Sequence, residues 1–310
     1  MYHKPVMLNE TIDCLEIKKD GIYVDLTYGG GGHSKAILND LSHKGKLLAF
    51  DHDEDAIENK ISDNRLLVIN QNFKFLKQNL NYHGYTMVDG VLADLGVSSY
   101  QFDKPERGFS IRHESKLDMR MNKNGELSAS EILNNYSEVE LSNIFHEYSD
   151  LRNSKSIAKL IVQKRNENKI LYTEQFNKIL GPFLSKGYEN KTLAKVYQAL
   201  RIEVNDEIEA LKQLLVQLPD VLKKGGKIVI ITYHSVEDRI VKRFIQNGCF
   251  ETEPIKDDFG KYNLPFKKSF KFKSPSLKEI KKNSRSRSAK LRSAEKLWVC
   301  LLYTSDAADE

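Results

Sequence analysis

The sequence predicts an α/β fold, a doubly wound, Rossmann-like parallel sheet interrupted by a helical insertion. Three observations carry this expectation. Over the first hundred residues, short apolar runs alternate with helical patterns, the rhythm of a parallel sheet. The stretch Tyr23-Val-Asp25-Leu-Thr27-Tyr-Gly29-Gly-Gly-Gly32-His33 runs from a strand, through an acid, into four glycines and then a helix. From about 103 to 200 no convincing strand appears, and the α/β rhythm resumes only beyond 204.

In chain order, strands are predicted at about 22–26, 46–51, 66–70 and 87–94, with helices at about 33–42, 54–61 and 73–82 between them. Ser130 is expected to cap a helix whose apolar face is Ile132, Leu133, Tyr136, Leu141, Ile144, Phe145 and Tyr148. Further helices follow near 154–167, 173–185 and 192–202. A long helix at about 204–223 leads through Gly225-Gly226 to the strand Lys227–Tyr233. Residues 235–246 suit a helix, and 288–297 a last edge strand. The division that follows is a discontinuous ligand-binding domain, 1–102 with 201–297, holding a helical insertion, 103–200. That insertion leaves the sheet after strand four, at the carboxyl edge where ligands bind, so it is expected to cover the site or hold the substrate. Residues 298–310 end in an acidic stretch and read as a disordered or non-native tail.

The glycine run identifies the ligand class. Glycine lacks Cβ, so its backbone takes positive φ and lies directly against a ligand. A helix starting near His33 points free N–H groups at that ligand. Asp51 ends the second strand 20 residues after Gly31, which suits a carboxylate on ribose hydroxyls. The dinucleotide pattern fails, because Ser34 or Lys35 stands where its last glycine belongs, and no Gly-Lys-Ser/Thr occurs. A glycine loop with acids on strands one and two remains, as S-adenosylmethionine (SAM) enzymes use, and Asp25 would attract the ammonium of the methionine end. The competing reading is a plain glycine-rich turn in another α/β protein.

Strand four ends in Ala93-Asp94-Leu95-Gly96-Val97-Ser98-Ser99, with Gln101 following. Methylation of an amino group needs its lone pair aligned and its hydrogens held. Asp94 either accepts those hydrogens or binds only cofactor and backbone. Three more polar clusters stand out: Arg107-Gly-Phe-Ser110 with Leu117-Asp118-Met-Arg-Met121, Tyr197–Ile202 leading to Asn205, and Tyr233-His234-Ser-Val-Glu237-Asp238-Arg239. Alone, each reads as caps or ion pairs. His234 is the best placed, at the end of strand five. Its His-x₃-Asp spacing lacks a third ligand, so no metal is expected.

Composition narrows the setting. At 310 residues, 40% hydrophobic and 29% charged, the chain is an ordinary soluble protein. Three separated cysteines (Cys14, Cys249, Cys300) argue for reduced thiols in a cytoplasm. The N-terminus lacks a signal peptide's apolar core, and no apolar run reaches the roughly 20 residues needed to span a bilayer. Residues 267–296 hold 12 Lys/Arg against two acids, so they carry +10 in a chain of net +5, leaving −5 elsewhere. Phe266, Phe270 and Phe272 are interleaved with the first lysines. Such charge with planar rings suits a phosphate backbone and unstacked bases, or alternatively a solvated surface loop. Lys267, Lys268, Lys271, Arg285, Arg287 and Arg292 are the candidate RNA contacts.

Taken in order, the motifs resemble the RsmH (MraW) family of bacterial ribosomal RNA small-subunit methyltransferases. The matching pieces are His3–Leu8, Thr27–Ser34, Asp94–Ser99, Glu106–Ser110, Leu117–Met121, Gln198–Ile202 with Val204-Asn205, His234–Phe244 and Ser284–Arg292. The resemblance spans residue 3 to about 297 and departs after Leu297. It implies a class I SAM-dependent methyltransferase that modifies N4 of a cytidine in the decoding region of 16S rRNA. The implied partner is the small ribosomal subunit, with no membrane, and monomer and homodimer both stay open. Carried onto this chain, the family's cofactor contacts fall on Gly31, Gly32, His33, Asp51, Phe73, Asp94 and Gln101, beside Asp25. Asp94, Asp118 and His234 are the catalytic candidates. An assembly factor that uses SAM only structurally is the alternative from another class.

Overall fold

The computed structural model describes residues 5–58, 60–254, 256, 260, 262 and 264–297. The tail 298–310 and Cys300 lie outside the described residues. Seven strands form one sheet: β1 (Ile22–Asp25), β2 (Lys46–Asp51), β3 (Leu66–Asn70), β4 (Val88–Asp94), β5 (Leu222–Thr232), β6 (Phe266–Lys268) and β7 (Lys290–Lys296). Their order is β3-β2-β1-β4-β5-β7-β6. The first five are parallel and β7 runs antiparallel to its neighbours. β1 and β4 read as near-continuous apolar runs because both faces of the sheet are covered. The chain order reverses between β1 and β4, the switch point where such sheets bind ligands. Register brings Asp25 of β1 beside Leu92 of β4, and Asp94 beside Ile231 of β5.

Helices cover both faces. α1 (Leu8–Leu15) and α2 (Gly32–Asp40) pack with Tyr23, Leu47 and Ile231 on one side. After β2 come α3 (Glu54–Glu58) and, past β3, α4 (Leu76–Tyr82). The opposite layer joins α4, α11 (Glu207–Val221) and α12 (Ser235–Asn247) over Leu48, Val91 and Ile230. Between β4 and α11 lie α5 (Ser99–Asp103), α6 (Ala129–Asn135), α7 (Glu138–Glu147), α8 (Ser154–Glu167), α9 (Thr173–Leu180) and α10 (Glu189–Val204). From α6 onward these helices share a core of their own, with Leu133, Phe145, Ile161 and Phe176 fully buried. A short α13 (Leu277–Lys282) precedes β7. No helix of the described residues is long and apolar enough to cross a membrane.

Several sequence expectations are corrected. The helix expected from Ser130 is two helices, since Ser128 and Ser137 each form a complete capping box with the glutamate three residues on. Ser130 itself lies inside α6, its hydroxyl donating to the Ile170 carbonyl at 2.8 Å. The domain division at 200 falls within α10. What ends that helix is Asn205, followed by Asp206 at φ 51. Finally, 290–296 is an interior strand, because β6 pairs outside it.

Candidate functional site

One cavity of about 910 Å³ opens at the carboxyl ends of β1, β2, β4 and β5. Its sheet side is lined by Thr27–Gly30, Gly32, His33, Asp51, Asp53, Phe73, Asp94, Gln101 and Tyr233. Its far side is built from Phe109, Met119, Met121, Tyr197, Gln198 and Arg201. The insertion is therefore the second wall of the cleft.

The glycine loop forms as its sequence requires. Gly31 caps α2 at φ 72, and a Cβ there would meet the Tyr28 hydroxyl at 2.9 Å, so only glycine fits. Asp51 Oδ2 accepts from the Gly29 N–H at 2.8 Å and its Oδ1 from the Asp53 N–H at 2.9 Å. The Asp51 carboxylate thus fastens the loop while still facing the cavity. Asp25, almost fully buried beneath the loop, accepts from the Thr27 N–H at 3.1 Å and the Ser34 hydroxyl at 2.7 Å. Burial pushes both carboxyls above their ordinary range, against these hydrogen bonds. Asp25 and Gly31 do not line the cavity; they shape it from below. Gly32, His33, Asp51, Phe73, Asp94 and Gln101 do line it.

Asp94, at the end of β4, is the hub. Its Oδ1 accepts from the Tyr233 hydroxyl at 2.7 Å, and its Oδ2 stands 3.7 Å from His33 Nδ1. The other nitrogen of His33 faces the Val6 carbonyl at 3.0 Å. Only a donor suits a carbonyl, so Nε2 carries hydrogen. Burial pushes Asp94 up to about 6, opposed by His33 and by the Tyr233 hydrogen bond and aided by Asp25 and Glu237. Among the described residues no lysine or arginine pairs with Asp25, Asp51 or Asp94. Three destabilised carboxyls around one cleft favour a cationic ligand.

The remaining catalytic candidates lie apart. Asp118 is absent from the cavity wall and pairs bidentately with Arg120 at 2.8 Å through both oxygens. Burial would raise it, but Arg120 holds it below the ordinary carboxylate range. His234 also stays outside the lining and serves as the cap of α12, its Nδ1 accepting from the Glu237 N–H at 3.4 Å. Among the described residues no third group joins the His234/Asp238 pair of the sequence reading, but a different set, Glu207, His234 and Glu237, has ligand atoms within 4.8 Å of one another. A cation already serves these acids. Arg201 donates to both Glu207 oxygens at 2.8 and 2.9 Å, and with His234 it lowers Glu237 against its burial. With Nδ1 taken up as the cap, His234 Nε2 sits 2.9 Å from Glu237 Oε1 though off the line of a hydrogen bond. Arg201 already supplies the positive charge these acids need, so no metal is assigned. Asp238 turns the other way, to Arg292 and Lys290.

The basic segment divides. Lys267, Lys268 and Lys271 are exposed, the first two on edge strand β6, and Arg285 and Arg287 are exposed on the turn before β7. Arg285 also lines the cleft mouth, stacked 5.0 Å over Phe102 and paired with Asp103. Arg292, in contrast, is buried and spent on Asp238 at 2.7 and 3.0 Å and on the Lys271 carbonyl, which removes it from the candidate RNA contacts. The interleaved rings are corrected too. Phe266 is buried against Phe244, Phe270 is partly buried, and only Phe272 is exposed, beneath Lys290 and Arg292.

Sequence reasoning missed Tyr233 as the partner of Asp94, although it adjoins His234. It also missed Asp53, for which Asp51-x-Asp53 was the signal; Arg107, singled out within a cluster read as caps or ion pairs, proves to be Asp53's buried partner.

A family model described as the MraW methylase family matches residues 1–297. A protein named ribosomal RNA small subunit methyltransferase H from Christiangramia forsetii is 55% identical over 296 residues, covering 96% of this chain and 98% of its own. Its namesake from Flavobacterium johnsoniae is 51% identical over the same coverage. Among solved structures, an rRNA methylase from Streptococcus thermophilus aligns with 94% of each chain at 13% identity and a TM-score of 0.37, too distant to carry an argument.

Proposed function

The chain belongs to the MraW methylase family, and from that premise we propose that it transfers a methyl group from SAM to N4 of a cytidine in the decoding region of 16S rRNA. The observation that carries this reading is Asp94. It is a carboxylate at the switch-point edge of the sheet, with one oxygen held by Tyr233 and the other turned toward the cleft and His33. When bound, SAM supplies a methyl carbon made electrophilic by its sulfonium. The residues suit it: Asp51 for ribose hydroxyls, the Phe73 ring for adenine, and the Asp25–Asp94 side for the positive methionine end. Gln101, which also lines the cleft, is already engaged by Ser98 and Asp53, so its part is to shape the cofactor's wall.

An exocyclic amine is nucleophilic once aligned, so no covalent enzyme intermediate is invoked. Asp94 Oδ2 would accept an amine hydrogen, turning the nitrogen lone pair toward the methyl group, and would take the proton that the amine sheds as the C–N bond forms and the methyl–sulfur bond breaks, with S-adenosylhomocysteine as the leaving group. The cavity, about 910 Å³, stands toward the upper end of the range for ligand sites, which is compatible with an unstacked base beside the cofactor. Exposed Lys267, Lys268, Lys271, Arg285 and Arg287 are suited to the RNA backbone around it. Such a base must be presented in one shape, which favours an assembled or partly assembled small subunit as substrate and the cytoplasm as the location.

The test is incubation with isotopically labelled SAM and unmodified small ribosomal subunits, followed by digestion to nucleosides and mass spectrometry. Labelled N4-methylcytidine is expected. Label on another nucleoside would keep the methyl transfer and reject the target. No label despite SAM binding would favour a non-catalytic assembly role.

A further inference from the structure

Arg107 lies just outside the cavity wall, behind its partners Asp53, Asp55 and Met121, which line it, and has no part in the chemistry above. Arg107 is 5% exposed, and both terminal nitrogens of its guanidinium are engaged. Toward the sheet side it donates to Asp53 Oδ2 at 3.2 Å and Asp55 Oδ2 at 3.0 Å. Toward the insertion it donates to the carbonyls of Arg120 at 3.0 Å and Met121 at 2.9 Å. Its own carbonyl accepts from the Met119 N–H at 3.0 Å. One side chain therefore spans the loop after β2 and the strap, residues 105–121, that carries the far wall.

Each end of this span reaches the cleft within one further hydrogen bond. On the sheet side, Asp53 is 3% exposed and accepts from Gln101 Nε2 at 2.6 Å, while its N–H donates to Asp51 Oδ1. Asp51 Oδ2 in turn holds Gly29. On the insertion side, the Met121 N–H donates to Asn205 Oδ1 at 2.7 Å and Asn205 Nδ2 donates to the Met119 carbonyl at 2.8 Å. Met119, Met121 and Phe109 are cavity wall. The strap is also tight at its turn: Gly108 has φ +73, and a Cβ there would stand 2.4 Å from the Lys116 carbonyl oxygen. The strap cannot shift there without moving Arg107.

We propose that Arg107 is a positioning residue that fixes Asp51 against the cofactor and the strap against the substrate base, so that the two ligands bind cooperatively. The proposal rests on the cofactor and substrate reading above. Cofactor binding at Asp51 stiffens the Asp53 loop, Arg107 transmits that order to Met119 and Met121, and a wall already in place binds the base more tightly. Linkage makes the effect reciprocal.

The experiment uses the full chain and two readouts. Calorimetric titration gives the SAM dissociation constant and the binding-competent fraction for wild type, Arg107→Ala, Arg107→Lys and the isosteric Asp53→Asn. Filter binding gives small-subunit affinity with and without S-adenosylhomocysteine. Arg107→Ala, which touches neither ligand, is expected to weaken SAM by on the order of tenfold, with Arg107→Lys in between. The wild-type gain in subunit affinity from S-adenosylhomocysteine, expected in the range of roughly 5- to 150-fold, should fall toward one in Asp53→Asn. A purely structural role would lower the competent fraction while leaving both the SAM constant and that ratio unchanged, and this overturns the proposal. Should Arg107→Ala fail to fold, Asp53→Asn decides alone. Wild-type protein that binds no SAM sinks the cofactor reading instead; wild type that binds SAM with unaltered variants sinks only the role of Arg107.

Discussion

On the sheet side of the cleft, the two acids around the glycine loop are fastened by partners within 22 residues, and only Asp94 reaches far, 139 residues to Tyr233. Asp25 is held by Thr27 and Ser34, two and nine residues on, and Asp51 by Gly29 and Asp53. On the insertion side the fastenings are distant: Met121 to Asn205 spans 84 residues and Arg107 to Asp53 spans 54. The glycine loop and its two acids are a property of strand ends and a turn. The insertion wall exists only once the insertion has folded and closed onto the sheet, and the Asp94–Tyr233 pair shares that dependence on tertiary structure. The cleft thus joins a largely local glycine-loop corner to contacts that only the complete fold assembles.

The sharpest way to break this comparison is through the insertion's core. Phe176 is fully buried there, one layer behind the cavity wall, with its ring 5.8 Å from that of the wall residue Tyr197. Phe176→Ala should cost about 3–5 kcal/mol of unfolding free energy in a urea titration. A loss under about 1 kcal/mol would mean that the helices do not share the core described. On the sheet side, Asp94→Ala should leave the fold intact and lower kcat by about 10²–10³-fold. Asp94→Asn, which keeps an acceptor oxygen but cannot take the proton, should fall between. A rate within tenfold of wild type for Asp94→Ala would remove that carboxylate from the chemistry.

A smaller effect probes how the Asp94 environment is set. With its carboxyl at about 6 in the folded protein, the carboxylate appears as pH rises through 6, so the acid limb of kcat/KM for the free enzyme should lie there. Tyr233→Phe deletes a hydrogen bond that lowers Asp94, so the limb should move to higher pH. A limb that stays in place would deny the Tyr233 contact any influence. Stability has its own sign. The unfolded carboxyl, at its ordinary 3.8, loses its proton before the folded one does. Between 3.8 and 6 the folded state binds more protons, so rising pH disfavours folding across that window. Asp94→Asn should abolish this part of the pH dependence in denaturation curves.

What the sequence disclosed follows the same division. The four glycines, the acids ending strands one, two and four, and the helical stretch after strand four were legible, because strand ends and turns are encoded within a few residues. The break between α6 and α7 escaped notice because a continuous apolar face masked two capping boxes. Asp118 became a catalytic candidate through the family resemblance, whereas its local sequence read as an ion pair, and the structure pairs it with Arg120 two residues on. The Tyr233–Asp94 bond joins residues 139 apart and the Arg107 cluster is long-range throughout, so neither has a local signature. Charge density likewise grouped Arg292 with its exposed neighbours, whereas strand alternation and Asp238 turn it inward.

That last distinction yields the subtlest prediction. Exposed Lys267, Lys268 and Lys271 can each release a counterion from bound RNA, while buried Arg292 cannot. Replacing the three lysines by glutamine should flatten the plot of log affinity against log salt by about 2, at roughly 0.7 per contact with single-stranded RNA. Melting temperature should barely move, since exposed lysines contribute little to folding. Arg292→Gln should do the reverse, lowering melting temperature by stranding Asp238 while leaving the salt slope unchanged. If Arg292→Gln flattened the slope as much as a surface lysine, the inward turn of β7 would be wrong. If the triple variant left it unchanged, the RNA path would run along Arg285 and Arg287 at the cleft mouth instead of along β6.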